Sequence, residues 1–420
     1  MELSIQHWCT DSGARVFFVA RRGLPTVDSR IAFNAGSARD NTLPGLARMT
    51  SNLLLEGTAE QTAGEISQAL EQHGARVEMR CGRDTADVNI RCLSHQAHLG
   101  PVVQTIGECI GGAVFPSDSV DRIRQRMIAG LAQASTAPME KIEKGFTEAI
   151  FGDHPYATSP GGESDSLQAI DPQRLRSFHG RYYVAANTTL TLVGDLSRAQ
   201  AERVAEQLVA GLPVGERASA LTPVKPPSGR PVSRLPFEAE QTHVSIGGVS
   251  LPYGHEDHPA LHLGCHILGG GGLTSILARR MRRERGLSYS SACKLTAGAA
   301  GGRFQMKTHV RNEALSEALS VLRASLRELL DQGADTNALE LARENLLGSL
   351  PLQLASNRDL LEQVATIGFH GLPLDDVQRF SEKLQRLDGE EVRAAMRRHL
   401  DPDLMATVLV GPELAIRRVE

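Results

Sequence analysis

Two stretches of the 420-residue chain place reactive residue types close together. The first holds His255, Glu256, Asp257, His258, His262, Cys265 and His266. Imidazole, carboxylate and thiolate are the groups that zinc takes, and His262 and His266 stand one helical turn apart. Pro259 argues against a shared site. Proline is favoured at the first position of a helix, so His255 and His258 fall in the preceding loop. The cluster reads as incidental. The second stretch is Leu268-Gly-Gly-Gly-Gly-Leu-Thr-Ser275. A glycine loop can cradle phosphate, but no Lys-Ser/Thr follows it and the flanking pattern is not a βαβ unit. It reads as a hinge before a helix. No Ser/His/Asp or Cys/His set has a local signature. The six cysteines, Cys9, Cys81, Cys92, Cys109, Cys265 and Cys293, include no C-x-x-C pair. Lying in apolar or alternating segments, they read as reduced and buried rather than as a disulfide framework.

The elements around these residues form a repeat. Apolar residues at 41% and charged residues at 22% describe a folded globular chain. A net charge of −4 argues against a surface for nucleic acid or anionic membrane. No apolar run approaches the roughly 18 residues of a membrane helix. Six prolines between Gly211 and Pro236 mark an extended linker. It divides the sequence into halves at 1–210 and 237–420. Arg30 to Phe33 and His243 to Ile246 read as strands, each followed by a helix that Pro44 or Pro259 opens. Thr62 begins a helix that Gly74 ends, and Thr274 begins one that Gly286 ends; both offsets are 212. Thr62 with Glu65 forms a capping box, and the glycines supply left-handed C-terminal residues. Alternating strands follow, through Val77, Met79, Cys81, Val88 and Ile90 and through Phe304, Met306, Thr308 and Val310. Helical stretches come next, including Ala318 to Leu329. Each half closes on a strand, Leu190 to Val193 and Thr407 to Val410. The fold class is α+β: two homologous domains from an internal duplication, each an antiparallel sheet with helices on one side.

Several segments then resemble one family. Ala35-Gly-Ser-Ala-Arg-Asp40, Gly45-Leu-Ala47 and Glu56-Gly-Thr58 are similar to the zinc-motif region of the pitrilysin/insulinase metallopeptidases. His154-Pro155, Phe178, Tyr182, Tyr183, Asn187 and Gly194 resemble later landmarks of that family. Leu268 to Ser275, Arg282 and Gly286-Leu-Ser-Tyr289 resemble the signature of its C-terminal domain. The family carries an inverted H-x-x-E-H motif, whose histidines bind zinc and whose glutamate activates the bound water. The matching positions here are Arg48, Ser51 and Asn52, which helical spacing places on one face. The third ligand would fall between Met127 and Ala132, yet Arg122 to Met139 contains no Asp, Glu, His or Cys. The resemblance therefore implies no metal in this chain.

It also implies that Arg282 and Tyr289 are retained from a pair that reaches an active site. Arg offers a rigid fork of donors for carbonyls or a carboxylate. Tyr offers a hydroxyl for an oxyanion. The neighbouring Arg279, Arg280, Arg283 and Arg285 read as a solvated basic face. Gly270 and Gly271 would let a peptide approach the backbone. His154 and His179 read as structural. Glu78 to Cys81 lies where the family's substrate-pairing edge strand falls, but without the family's usual pattern, so strand addition is not expected there. The expectation is a zinc-free subunit of a heterodimeric metallopeptidase. Its homologous partner would hold the zinc, and Arg282 and Tyr289 would act on peptide substrate in the partner's site. A structural subunit of core-protein type is the alternative. Val16 to Ala20 is too short for a signal-peptide core, so a cytoplasmic location is expected, or a periplasmic one after removal of a leader.

Overall fold

The computed structural model describes residues 3–417. Its first sheet has six strands: β1 (Gln6–Cys9), β2 (Arg15–Ala20), β3 (Thr26–Phe33), β4 (Arg76–Cys81), β5 (Ala86–Leu93) and β6 (Thr188–Gly194). The second has five: β7 (Val232–Pro236), β8 (Gln241–Ser250), β9 (Ser291–Thr296), β10 (Gly302–Arg311) and β11 (Ala406–Gly411). The strand orders are β1-β2-β6-β3-β5-β4 and β7-β11-β8-β10-β9. Setting β1 aside, one order maps strand for strand onto the other, as a duplication requires. The pairings are antiparallel except β2 with β6 and β7 with β11, which are parallel. β7 lies inside the stretch expected to be linker. It is an edge strand, where Pro236 removes no ladder bond that the sheet interior needs.

Strand alternation builds each core. Val16, Phe18, Ile31, Phe33, Val88, Ile90, Leu190 and Leu192 face one way and are buried. The helices α1 (Leu46–Leu53), α2 (Ala63–Glu71), α3 (Gln96–Gly112) and α4 (Ser117–Ser135) contribute to the same cluster. Val244, Ile246, Phe304, Met306 and Leu409 do likewise in the second sheet, with Leu319, Leu322, Leu326 and Leu329 of the helix Leu315–Gln332.

The compact units are not the continuous halves 1–210 and 237–420. The first comprises Met1–Leu131, Thr158–Ala220 and Pro351–Asp376; the second comprises Ala132–Ala157, Leu221–Leu350 and Val377–Glu420. The helix Asn357–His370, from the second half of the sequence, packs on β6, β3 and β2. The helix α5 (Pro138–Phe151), from the first half, packs on β11, β8 and β7. Helices therefore cover both faces of each sheet, where one was expected. The physical reason shows in β6, which is buried at every position and not alternately.

Each of these helices carries a glutamate onto basic residues of its sheet. Glu362 pairs with Arg30 and, at 3.3 Å, with Arg80. Glu143 pairs with Lys307 and, at 3.1 Å, with Arg303. Each helix also meets its sheet through a glycine. An added Cβ on Gly368 would lie 2.5 Å from the Phe17 ring, and one on Gly145 would lie 2.7 Å from Leu235.

Candidate functional site

The first candidate region is α1. Asp40 organises its start by accepting from the backbone N–H of Gly45 at 2.8 Å and of Ala47 at 2.7 Å. Burial nonetheless pushes the Asp40 carboxyl up to about 7, against those two bonds. Gly45 sits at φ +94 beneath Leu167, and an added Cβ on Gly36 would strike the Arg83 carbonyl at 2.2 Å. These contacts account for the Gly36, Asp40 and Gly45 landmarks.

Arg48, Ser51 and Asn52 share a side of α1 but not an environment. Arg48 is exposed and has no ion-pair partner among the described residues. Asn52 is half-buried. Ser51 is buried beside the phenol of Tyr183, whose pKa is raised well above its ordinary value, first by burial and then by the neighbouring Cys81, with Ser51 opposing. The acid nearest in sequence, Glu56, is already tied to Arg122 and accepts from the Ser119 hydroxyl at 3.2 Å. The window Met127 to Ala132 lies on α4 and offers no ligand. An unneutralised guanidinium, a hydroxyl and an amide are not a donor set for zinc. The residues present do not fit that metal.

The second region is the glycine-rich stretch and the turn that follows it. The helix His258–Cys265 does not run on as an α-helix to Leu268. It widens into a π-helical segment, His266–Gly270. The next helix likewise does not begin at Thr274. A 3-10 turn spans Gly272–Thr274, and Ala278–Glu284 is π-helical. Such wide turns are rare and recur at functional sites. Gly269 is buried, and an added Cβ would lie 2.5 Å from the Cys293 backbone nitrogen, so this glycine serves packing. Gly270 is exposed and Gly271 half-buried. Gly271 also borders a cavity of about 190 Å³ lined by His266, Thr274, Arg279, Arg280 and Glu328 among others.

Gly286, at φ +61, reverses the chain, and the backbone N–H groups of Leu287 and Ser288 both donate to the Met281 carbonyl, at 2.7 and 3.2 Å. This turn brings Tyr289 back against Arg282. The guanidinium carbon sits 4.3 Å from the ring centroid. The ring is 76% exposed. Three of the neighbouring arginines are tied down: Arg279 to Glu284 at 3.5 Å, Arg280 to Glu328 at 2.7 Å and Arg285 to Glu284 at 3.2 Å. Arg282 and Arg283 have no ion-pair partner among the described residues.

The histidine-rich stretch resolves into packing and an ion-pair network. His258 and His262 lie against Phe380, at 6.3 and 5.7 Å between ring centroids. Burial, with His258 and His266 adding to it, lowers His262 to about 4. Asp257 comes together with His255 and with His399, which the sequence reading missed because it lies 142 positions away. Their ligand atoms lie within 4.8 Å of one another, the one such group among the described residues. Asp257 is already engaged, accepting from His399 Nε2 at 2.7 Å and from Arg398. His179 donates through Nε2 to the Ile110 carbonyl at 2.7 Å, and His154 does so to that of Thr222 at 2.8 Å. Glu78 to Cys81 falls in β4, an edge strand of the first sheet. Among the described residues no helix is long and apolar enough to cross a membrane.

Comparison with known proteins bears on the whole chain. Residues 15–161 match the family described as Insulinase (Peptidase family M16), and residues 169–346 match the one described as Peptidase M16 inactive domain. A crystal structure of a peptidase M16 inactive domain from Pseudomonas fluorescens is 34% identical, with a TM-score of 0.94 and 98% of each chain covered. The chain belongs to peptidase family M16. Its M16 relatives carry names of both kinds. One from Mycobacterium tuberculosis, 25% identical over 88% of this chain and 84% of its own, is named an uncharacterized zinc protease. One from Helicobacter pylori, 23% identical over 92% and 89%, is named a non-peptidase homolog. The inactive-domain match, together with Arg48, Ser51 and Asn52, makes this a non-catalytic type of M16 chain.

Proposed function

We propose that this chain is the zinc-free subunit of a two-chain M16 peptidase and lends Arg282 and Tyr289 to a zinc-bearing partner. The observation that carries this reading is the pair itself. An exposed phenol lies against a guanidinium that no acid among the described residues neutralises, while three neighbouring arginines are paired. Leaving Arg282 unpaired keeps its donors available to a carbonyl or carboxylate. Stacking on the ring holds it in place at a cost that one cation–π contact, about 0.5–1 kcal/mol when exposed, can offset. The Tyr289 hydroxyl then offers the chemistry of an oxyanion donor. Gly270 and Gly271 offer peptide substrate an approach to the backbone. Arg48 in place of a metal ligand supports assigning the zinc to the partner.

The test is reconstitution. The chain alone should not hydrolyse peptides and should retain no stoichiometric zinc after dialysis. Mixed with an M16 subunit that carries H-x-x-E-H, it should restore hydrolysis. Arg282→Ala and Tyr289→Phe should then lower turnover on the order of 10²-fold, the usual loss for one oxyanion donor. Hydrolysis by the chain alone, or unchanged turnover with both variants, would overturn the reading.

A further inference from the structure

We propose that Cys265 and Cys293 form a reversible disulfide that closes the segment carrying the glycine-rich loop, Arg282 and Tyr289 into a covalent loop. The two sulfurs lie 2.9 Å apart, closer than non-bonded thiols pack. Both side chains are buried, at 4% and 5% exposure. Cys265 ends the helix His258–Cys265, and Cys293 lies in β9. The close seat of Gly269 on Cys293 already brings these elements together. Among the described residues no other two cysteine sulfurs are in contact. The proposal is independent of the peptidase reading, because it concerns only the covalent state of this chain.

The oxidant is a small-molecule disulfide such as oxidised glutathione. One cysteine, as thiolate, attacks it, forms a mixed disulfide and releases one glutathione thiolate. The second cysteine, as thiolate, attacks the protein sulfur of that mixed disulfide. The Cys265–Cys293 bond forms and the second glutathione thiolate leaves. The protons of the two cysteines pass to the two glutathione thiolates, so two protein thiols are oxidised and one disulfide is reduced to two thiols. Burial raises the Cys293 thiol well above its ordinary range, with Cys265 adding to the effect. The Cys293 thiolate therefore arises mainly while the chain folds, before that burial is complete.

The full chain should be refolded from denaturant in glutathione buffers of graded redox ratio, quenched with an alkylating agent and mapped by mass spectrometry. The expected product lacks two hydrogens, carries a linked peptide containing Cys265 and Cys293, and has Cys9, Cys81, Cys92 and Cys109 alkylated. Its Tm should exceed that of the reduced chain on the order of 5 °C. Cys293→Ser, or Cys265→Ser where the first does not fold, should abolish that difference. No linked peptide at any ratio, a link through one of the other four cysteines, or equal Tm values for the two states would overturn the proposal.

Discussion

Gly368→Ala should destabilise the protein although alanine is the better helix former. In the helix Asn357–His370 the new Cβ would lie 2.5, 2.7 and 3.0 Å from Cδ2, Cε2 and Cγ of Phe17. Carbon atoms rest at about 3.5–4.0 Å, so ring or helix must shift by about 1 Å. The ring has little room, being 5% exposed and tilted against the His7 ring, with 4.7 Å between centroids. Overpacking of this kind costs about 1–3 kcal/mol. Replacing glycine in a helix returns at most about 1 kcal/mol. Subtracting about 1 kcal/mol leaves an expected net loss of up to about 2 kcal/mol. Gly180→Ala is the matched control: this glycine is exposed in the helix Pro172–Tyr182, and an added Cβ meets nothing within 4 Å. It should stabilise by a few tenths to about 1 kcal/mol. Urea midpoints followed by circular dichroism would separate the two signs. A Gly368→Ala protein as stable as wild type would show that the seat of this helix on β2 is looser than its geometry states.

Thr62→Ala should lower stability by about 1 kcal/mol, because the Glu65 backbone N–H then loses the Thr62 hydroxyl as its acceptor; an unchanged urea midpoint would count against the cap. Asp87 gives a pH signature. Burial raises its carboxyl to about 6 against the pull of Arg30 and the Thr85 hydroxyl, so the unfolded chain releases this proton first as pH rises. Its contribution to stability is complete below pH 3.8 and is lost as pH rises through about 6, a decline on the order of 3 kcal/mol. Asp87→Asn should remove that decline relative to wild type between pH 4 and 7, and parallel stability curves for the two proteins would refute the assignment.

Local pattern made much of the fold readable. The Thr62 cap, the Gly74 and Gly286 stops and the alternation through Val88 and Ile90 all act within a few residues, and the structure has each of them. Features that pair distant positions left no local trace. β7 is short and lies in a Pro-rich stretch, and its ladder partner β11 lies at the other end of the second half, so the segment reads as linker until that partner is known. The π-helical turns were hidden as well, since Leu277, Ala278 and Met281 keep spacing that an ordinary helix would allow. At the site, the sequence could match Arg282 and Tyr289 to a signature, but only the turn at Gly286 stacks one on the other. The engagement of Asp257 by His399 and the contact of Cys265 with Cys293 join positions whose pairing no spacing rule specifies.

The traded helices set a timetable for the ribosome. The first unit cannot cover the second face of its sheet until Pro351–Asp376 has been made, so Phe17 and Arg30 must wait for most of the chain to be synthesised before their cover arrives. The usual order, in which the N-terminal domain folds while the rest is still being translated, is closed to this protein. Its connectivity is what fusing the two subunits of a domain-swapped dimer would give, each copy lending a helix to the other. A single protease cut in the Pro-rich segment would then yield two fragments that remain associated, and neither fragment expressed alone would hold a complete unit.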